Sequence, residues 1–119
     1  MNLQSQLVSL ELSQKLYEAG VRAESYFYYY EDGGVEPRLR FKDANWHRWQ
    51  RPERHYPAYS VAELISILGE RFGYLQYKRG IFVANSDGSH SDLEGNTPQE
   101  AVALLLLHLI SSGVIEVAK

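Results

Sequence analysis

The stretch that most limits this fold is Thr97-Pro98-Gln99-Glu100, followed by AVALLLLHLISS and then Gly113. Thr97 is a helix-capping residue. Pro98 takes the first helical position, where its missing N–H costs nothing, and Glu100 completes a capping box. The pattern predicts a helix that ends at Gly113 as its C′ residue. Val102, Leu105, Leu106 and Leu109 form one face, but Leu104, Leu107 and Ile110 carry apolar surface most of the way round. A helix apolar on all sides is buried on several of them. Each large aliphatic side chain gains roughly 1.5–3 kcal/mol on full burial, so leaving several in water is costly. Two solutions follow: sheet faces covered on both sides, or a contact between Leu104, Leu107 and Ile110 and another subunit in a homo-oligomer.

At 119 residues, residues 1–119 are expected to form one α+β domain. Apolar residues make up 45% and charged residues 23%, which excludes a disordered chain. The formal charge of −3 supplies no global attraction to nucleic acid or to an acidic membrane. No cysteine is present, so disulfides, thiolate zinc sites and cysteine nucleophiles are excluded. The N-terminus lacks the basic flank and apolar run of a signal peptide, and the run from Ala101 to Leu107 is too short to cross a bilayer. A cytoplasmic protein with no membrane contact is therefore expected. Nine tyrosines stand against four phenylalanines and two tryptophans, a bias toward core edges and interfaces, where a ring is buried and its hydroxyl still finds a polar partner.

Helical spacing from Ser9 to Ala19, closed by Gly20, predicts a first helix. The segment AESYFYYYEDGGVEPRLRFK reads as a β-hairpin turning at Gly33-Gly34. In that register Tyr26, Tyr28 and Tyr30 share an apolar face with Leu39 and Phe41, while Phe27 and Tyr29 lie beside Arg38 and Arg40 on the other. Against it, the register sets Glu31 opposite Glu36. Pro37 marks the second strand as an edge. Residues from Asp43 to Tyr59 show no period and read as a long loop. Ser60 and Glu63 form a capping box for a helix with a Val61, Leu64, Ile65 and Leu68 stripe. YLQYKRGIFVAN reads as a second hairpin, turning at Arg79-Gly80 or at Lys78-Arg79-Gly80, and Ser86 to Asn96 reads as loop. The final VIEVAK adds a short strand or frays. The expected order is α-β-β-α-β-β-α: two hairpins merged into one antiparallel four-stranded sheet, with three helices placed on both of its faces.

Three groups of residues are candidates for a site. From Arg38 to Tyr56, six basic residues stand against two acids, interleaved with Trp46, Trp49, His47, His55 and Tyr56. Aromatic stacking plus phosphate neutralisation is how sequence-tolerant single-strand binders work. Phe27, Tyr29, Arg38, Arg40, Trp46, Arg48, Trp49, Arg51 and Arg54 would form that platform. The plainer alternative packs both tryptophans on the core and leaves the arginines solvated. Asn85, Asp87, Gly88 and Glu94 match part of a calcium loop, but Val83 stands where the first carboxylate belongs and a strand leads in. His47, His55, His90 and His108 show no metal-ligand spacing. No phosphate loop, dinucleotide fingerprint, nucleophile elbow or zinc pattern occurs, so the balance is against an enzyme, with no cofactor and no metal expected.

LVSLELSQKLYEAG, YPAYSVAELISILGE and NTPQEAVALLLLHLI, spaced around an aromatic-rich strand, resemble small uncharacterised proteins of phages, prophages and related mobile elements. Some of these belong to a group described as a phage α-β-α sandwich domain. The resemblance implies a sheet with helices on both faces and a phage-type origin, and it brings no activity or functional residue. The expected function is a non-catalytic phage-type accessory or interaction domain that binds another protein or a second copy of itself. The alternative is single-stranded nucleic-acid binding through the Trp46 to Tyr56 segment.

Overall fold

The computed structural model describes residues 6–30, 38–41, 55–86 and 92–116. In chain order the elements are α1 (Leu10–Glu18), β1 (Phe27–Tyr30), β2 (Arg38–Phe41), β3 (His55–Pro57), α2 (Val61–Leu68), β4 (Phe72–Lys78), β5 (Ile81–Ser86), β6 (Asp92–Gly95) and α3 (Pro98–Ser111), with one 3₁₀ turn at Gly69–Arg71. The chain is α+β, but the single four-stranded sheet is not formed. Two separate antiparallel sheets of three strands stand in its place, ordered β2-β1-β3 and β4-β5-β6. Each predicted hairpin recruits a third strand from a segment expected to be loop: His55–Pro57 pairs with β1, and Asp92–Gly95 pairs with β5.

The helix ends follow the sequence closely. Ser9 accepts the Leu12 N–H at 3.2 Å. Ser60 and Glu63 form the reciprocal capping box, and Thr97 accepts the Glu100 N–H at 3.2 Å. Both α1 and α3 close on a left-handed glycine, Gly20 at φ 102° and Gly113 at φ 79°. Val21 donates back to the Leu16 carbonyl at 3.0 Å and Val114 to Leu109 at 2.9 Å, which satisfies carbonyls that the helix leaves free.

The main core gathers Leu16, Tyr59, Leu64, Val102, Leu105 and Leu106, all fully buried. Helix α3 packs on β5 and β6 and also against α1 and α2, which explains its apolar circumference. Register places Leu75, Ala84 and Leu93 in one row on the face toward this core, followed by Tyr77, Phe82 and Gly95. Gly95 lies hard under the helix start, where an added Cβ would stand 2.6 Å from the Ala101 nitrogen. On the opposite face of the same sheet, Tyr74, Gln76, Asp92 and Glu94 are exposed, so helices do not cover both faces here.

In the first sheet the hairpin register differs by one residue from the expected one. Phe27 pairs with Phe41, Tyr28 with Arg40, Tyr29 with Leu39 and Tyr30 with Arg38. Because side chains alternate, a one-residue shift exchanges the two faces. Tyr29 is thereby buried against Leu7 and Ala58, with Phe27, Leu39 and Tyr56 beside it, and its hydroxyl donates to the Val8 carbonyl at 2.7 Å. That covered ring and satisfied hydroxyl are what the chain gains from this register. The turn residues 31–37 lie outside the described residues. The second hairpin closes through two residues with positive φ, Arg79 at 55° and Gly80 at 82°, between the paired Lys78 and Ile81.

Candidate functional site

Of the predicted site residues, the structure brings together Leu104, Leu107 and Ile110. They are half-buried on α3 and line an open groove of about 870 Å³. The opposite wall is α1, through Lys15 and Ala19, and Ile115 closes one end. Ile115 reaches this position because the chain reverses after Gly113, where the Ile115 N–H bonds the Leu109 carbonyl at 3.2 Å. His108, Ser111 and Glu116 supply the polar rim. Lys15 already pairs with Glu11 at 3.3 Å on the exposed side of α1, so the groove carries no concentrated charge. An apolar floor with a sparse polar rim is complementary to apolar side chains.

Sequence reasoning missed Ala19 and Ile115. The glycine signals at residues 20 and 113 were present, and Gly113 marks the reversal that brings Ile115 back against α3. The wall supplied by α1 left no such trace, because it depends on how two helices distant in sequence pack.

The basic-aromatic segment lies largely outside the described residues. Phe27 and Tyr29 face the core with Leu39 and Tyr56, which removes two rings of the expected platform. In the backbone register Arg38 pairs with Tyr30 and Arg40 with Tyr28. Tyr28 is itself buried, and its hydroxyl accepts the Ser25 N–H at 3.3 Å, so it presents no ring face to a base. Trp46, Arg48, Trp49, Arg51 and Arg54 lie outside the described residues.

Two polar clusters have the composition of a site and act as structural ties. Glu63 accepts the Ser60 N–H at 2.9 Å, the Ser25 hydroxyl at 3.0 Å and the Tyr26 N–H at 3.1 Å. One carboxylate thus caps α2 and pins the segment that leads into β1. Ser25 also donates toward the Ala58 carbonyl at 3.2 Å, and no histidine among the described residues bonds it, so nothing there activates it as a nucleophile. On the second sheet, the Tyr74 hydroxyl donates to Asp92 at 3.3 Å, and the Asn85 amide donates to the same carboxylate oxygen. Asn85 and Glu94 therefore belong to strands β5 and β6, while Asp87 and Gly88 lie outside the described residues. Among the described residues no three His, Asp or Glu groups come together as a metal site, and no helix is long and apolar enough to cross a membrane.

No protein-family model, curated protein or solved structure matches this chain, and the functional reading rests on its own surface chemistry.

Proposed function

We infer that this chain is a non-catalytic protein-interaction domain, and that its recognition surface is the groove between α1 and α3. The observation that carries the reading is the juxtaposition of Leu104, Leu107, Ile110 and Ile115, all only half-buried, along one open cleft. The occupant is a segment of another protein that arrives as an amphipathic helix. The floor is α3, a helix whose backbone groups are bonded internally, so an extended peptide would find no main-chain partners along it. A helix brings its own hydrogen bonds and lays an apolar stripe on the floor. The phage-type setting and a cytoplasmic location accompany this reading through the sequence alone.

Peptide selection tests it. A random library panned on the wild-type chain, with Leu107→Glu as the counter-selection, is expected to enrich peptides whose apolar residues recur at helical spacing. Peptides that bind Leu107→Glu as tightly as wild type would contradict the reading, provided that the variant keeps the wild-type circular dichroism.

A further inference from the structure

A second surface, separate from the groove and independent of it, is the free edge of the β4-β5-β6 sheet. Among the described residues β4 is an outermost strand seven residues long, FGYLQYK, and it contains no proline. Its one charge is Lys78 at the end, and its irregularity falls between Phe72 and Tyr74, which leaves residues 74–78 regular. Natural edges are usually blunted by charge, proline or a central bulge; an edge without them is a template for another strand. Two rings of β4 are exposed, Tyr77 at 65% and Tyr74 at 45%, and Ile81 at the start of β5 is 37% exposed.

We propose that β4 pairs antiparallel with β4 of a second copy, which joins two three-stranded sheets into one six-stranded sheet across a two-fold axis at Gln76. The backbone phase fits. Lys78 and Ile81 flank a two-residue turn and are therefore a hydrogen-bonded pair, so by alternation Gln76 and Tyr74 also bond to β5. The N–H and C=O groups of Leu75 and Tyr77 then point outward, and no strand among the described residues pairs with them. With Gln76 opposite the partner's Gln76, Leu75 bonds the partner's Tyr77 and Tyr77 the partner's Leu75.

The side chains fit in the same register. On the exposed face Tyr74 meets the partner's Lys78, a ring beside a cation, and no like charges face each other. On the inner face the row Gly95, Phe82, Tyr77 continues into the partner's Leu75, Ala84 and Leu93. Tyr77 already rests on Phe82, with ring centroids 4.9 Å apart. On this face Leu75 packs against the main core, and Tyr77 beyond it stays exposed. A second copy is favoured over an unrelated strand because an antiparallel edge is complementary to itself and this register leaves no mismatched charge.

Sedimentation equilibrium across concentration, on the full chain, tests the proposal with Gln76→Lys and Gln76→Glu. Both substitutions fall on an exposed position that long polar side chains tolerate. Wild type is expected to move from monomer toward dimer mass as concentration rises. Each variant places like charges at the axis and raises the dimer dissociation constant about fivefold, and an equimolar mixture of the two restores wild-type association. Leu107→Glu, which alters the groove, leaves the dimer intact. The proposal is overturned by wild type that stays monomeric to millimolar concentration, by either variant associating like wild type, or by a mixture no better than its components. Loss of association in Leu107→Glu alone would assign the contact to the groove and also overturn it.

Discussion

Tyr59 concentrates the physics of this fold in one side chain. Its ring is fully buried, and its hydroxyl donates to the Ala23 carbonyl at 2.6 Å, which ties the segment after α1 to the start of α2. Burial, with Tyr28 and Glu63 nearby, raises its pKa far above the ordinary 10.0, against a smaller opposing effect of Arg22. Burial raises the pKa of Tyr29 as well. Below the ordinary pKa both tyrosines are neutral whether the chain is folded or not, and their contribution to stability is fully present. Above pH 10 the unfolded chain loses protons that the folded chain keeps, so stability falls as pH rises toward the folded pKa. Tyr59→Phe is expected to lower neutral-pH stability by about 1 kcal/mol, through the lost hydrogen bond. Its denaturant midpoint should then decline less steeply than that of wild type above pH 10. Parallel declines in the two proteins would show that Tyr59 is not protected from ionisation. Glu63 illustrates what was legible at this scale. Ser60 three residues earlier announces its capping role, but its bonds to Ser25 and Tyr26 span 38 and 37 residues and leave no local trace.

At the scale of elements, the helices were legible because each carries its own start and stop: Ser9 and Gly20; Ser60, Glu63 and Gly69; Thr97, Pro98 and Gly113. The strands that were missed, His55–Pro57 and Asp92–Gly95, have three and four residues. Runs so short do not establish a period of two, and each forms by adding to an existing neighbour. The shifted register of β1 has a related cause. Turn chemistry at Gly33-Gly34 favoured one face, whereas the patch of Leu7 and Ala58 that covers Tyr29 comes from segments outside the hairpin. Gly95 is the element-scale device that nothing in the sequence announced. Strand β6 can approach the first turn of α3 only because no Cβ intervenes, the nearest backbone atom being 2.6 Å from where one would stand. Gly95→Ala should force the strand and helix apart and cost about 1–3 kcal/mol in chemical denaturation. A variant as stable as wild type would mean that the contact relaxes freely.

Taken as a whole molecule, the chain solves the problem posed by its last helix in an asymmetric way. Sheet β4-β5-β6 covers one side of α3, and α1 and α2 cover others. The remaining apolar strip, Leu104, Leu107 and Ile110, becomes the floor of the groove. Most of this nearly all-apolar helix is therefore core, and one strip of it is only half-buried. The most direct test labels the methyl groups of Leu104, Leu107, Ile110 and Ile115 together with the backbone amides, and follows both by NMR while a helical peptide from the library selection is added. These four positions are expected to shift together and saturably, with Tyr74 and Gln76 on the distant sheet face unchanged. Saturable shifts at the sheet face, with the four methyl groups unmoved, would contradict the account.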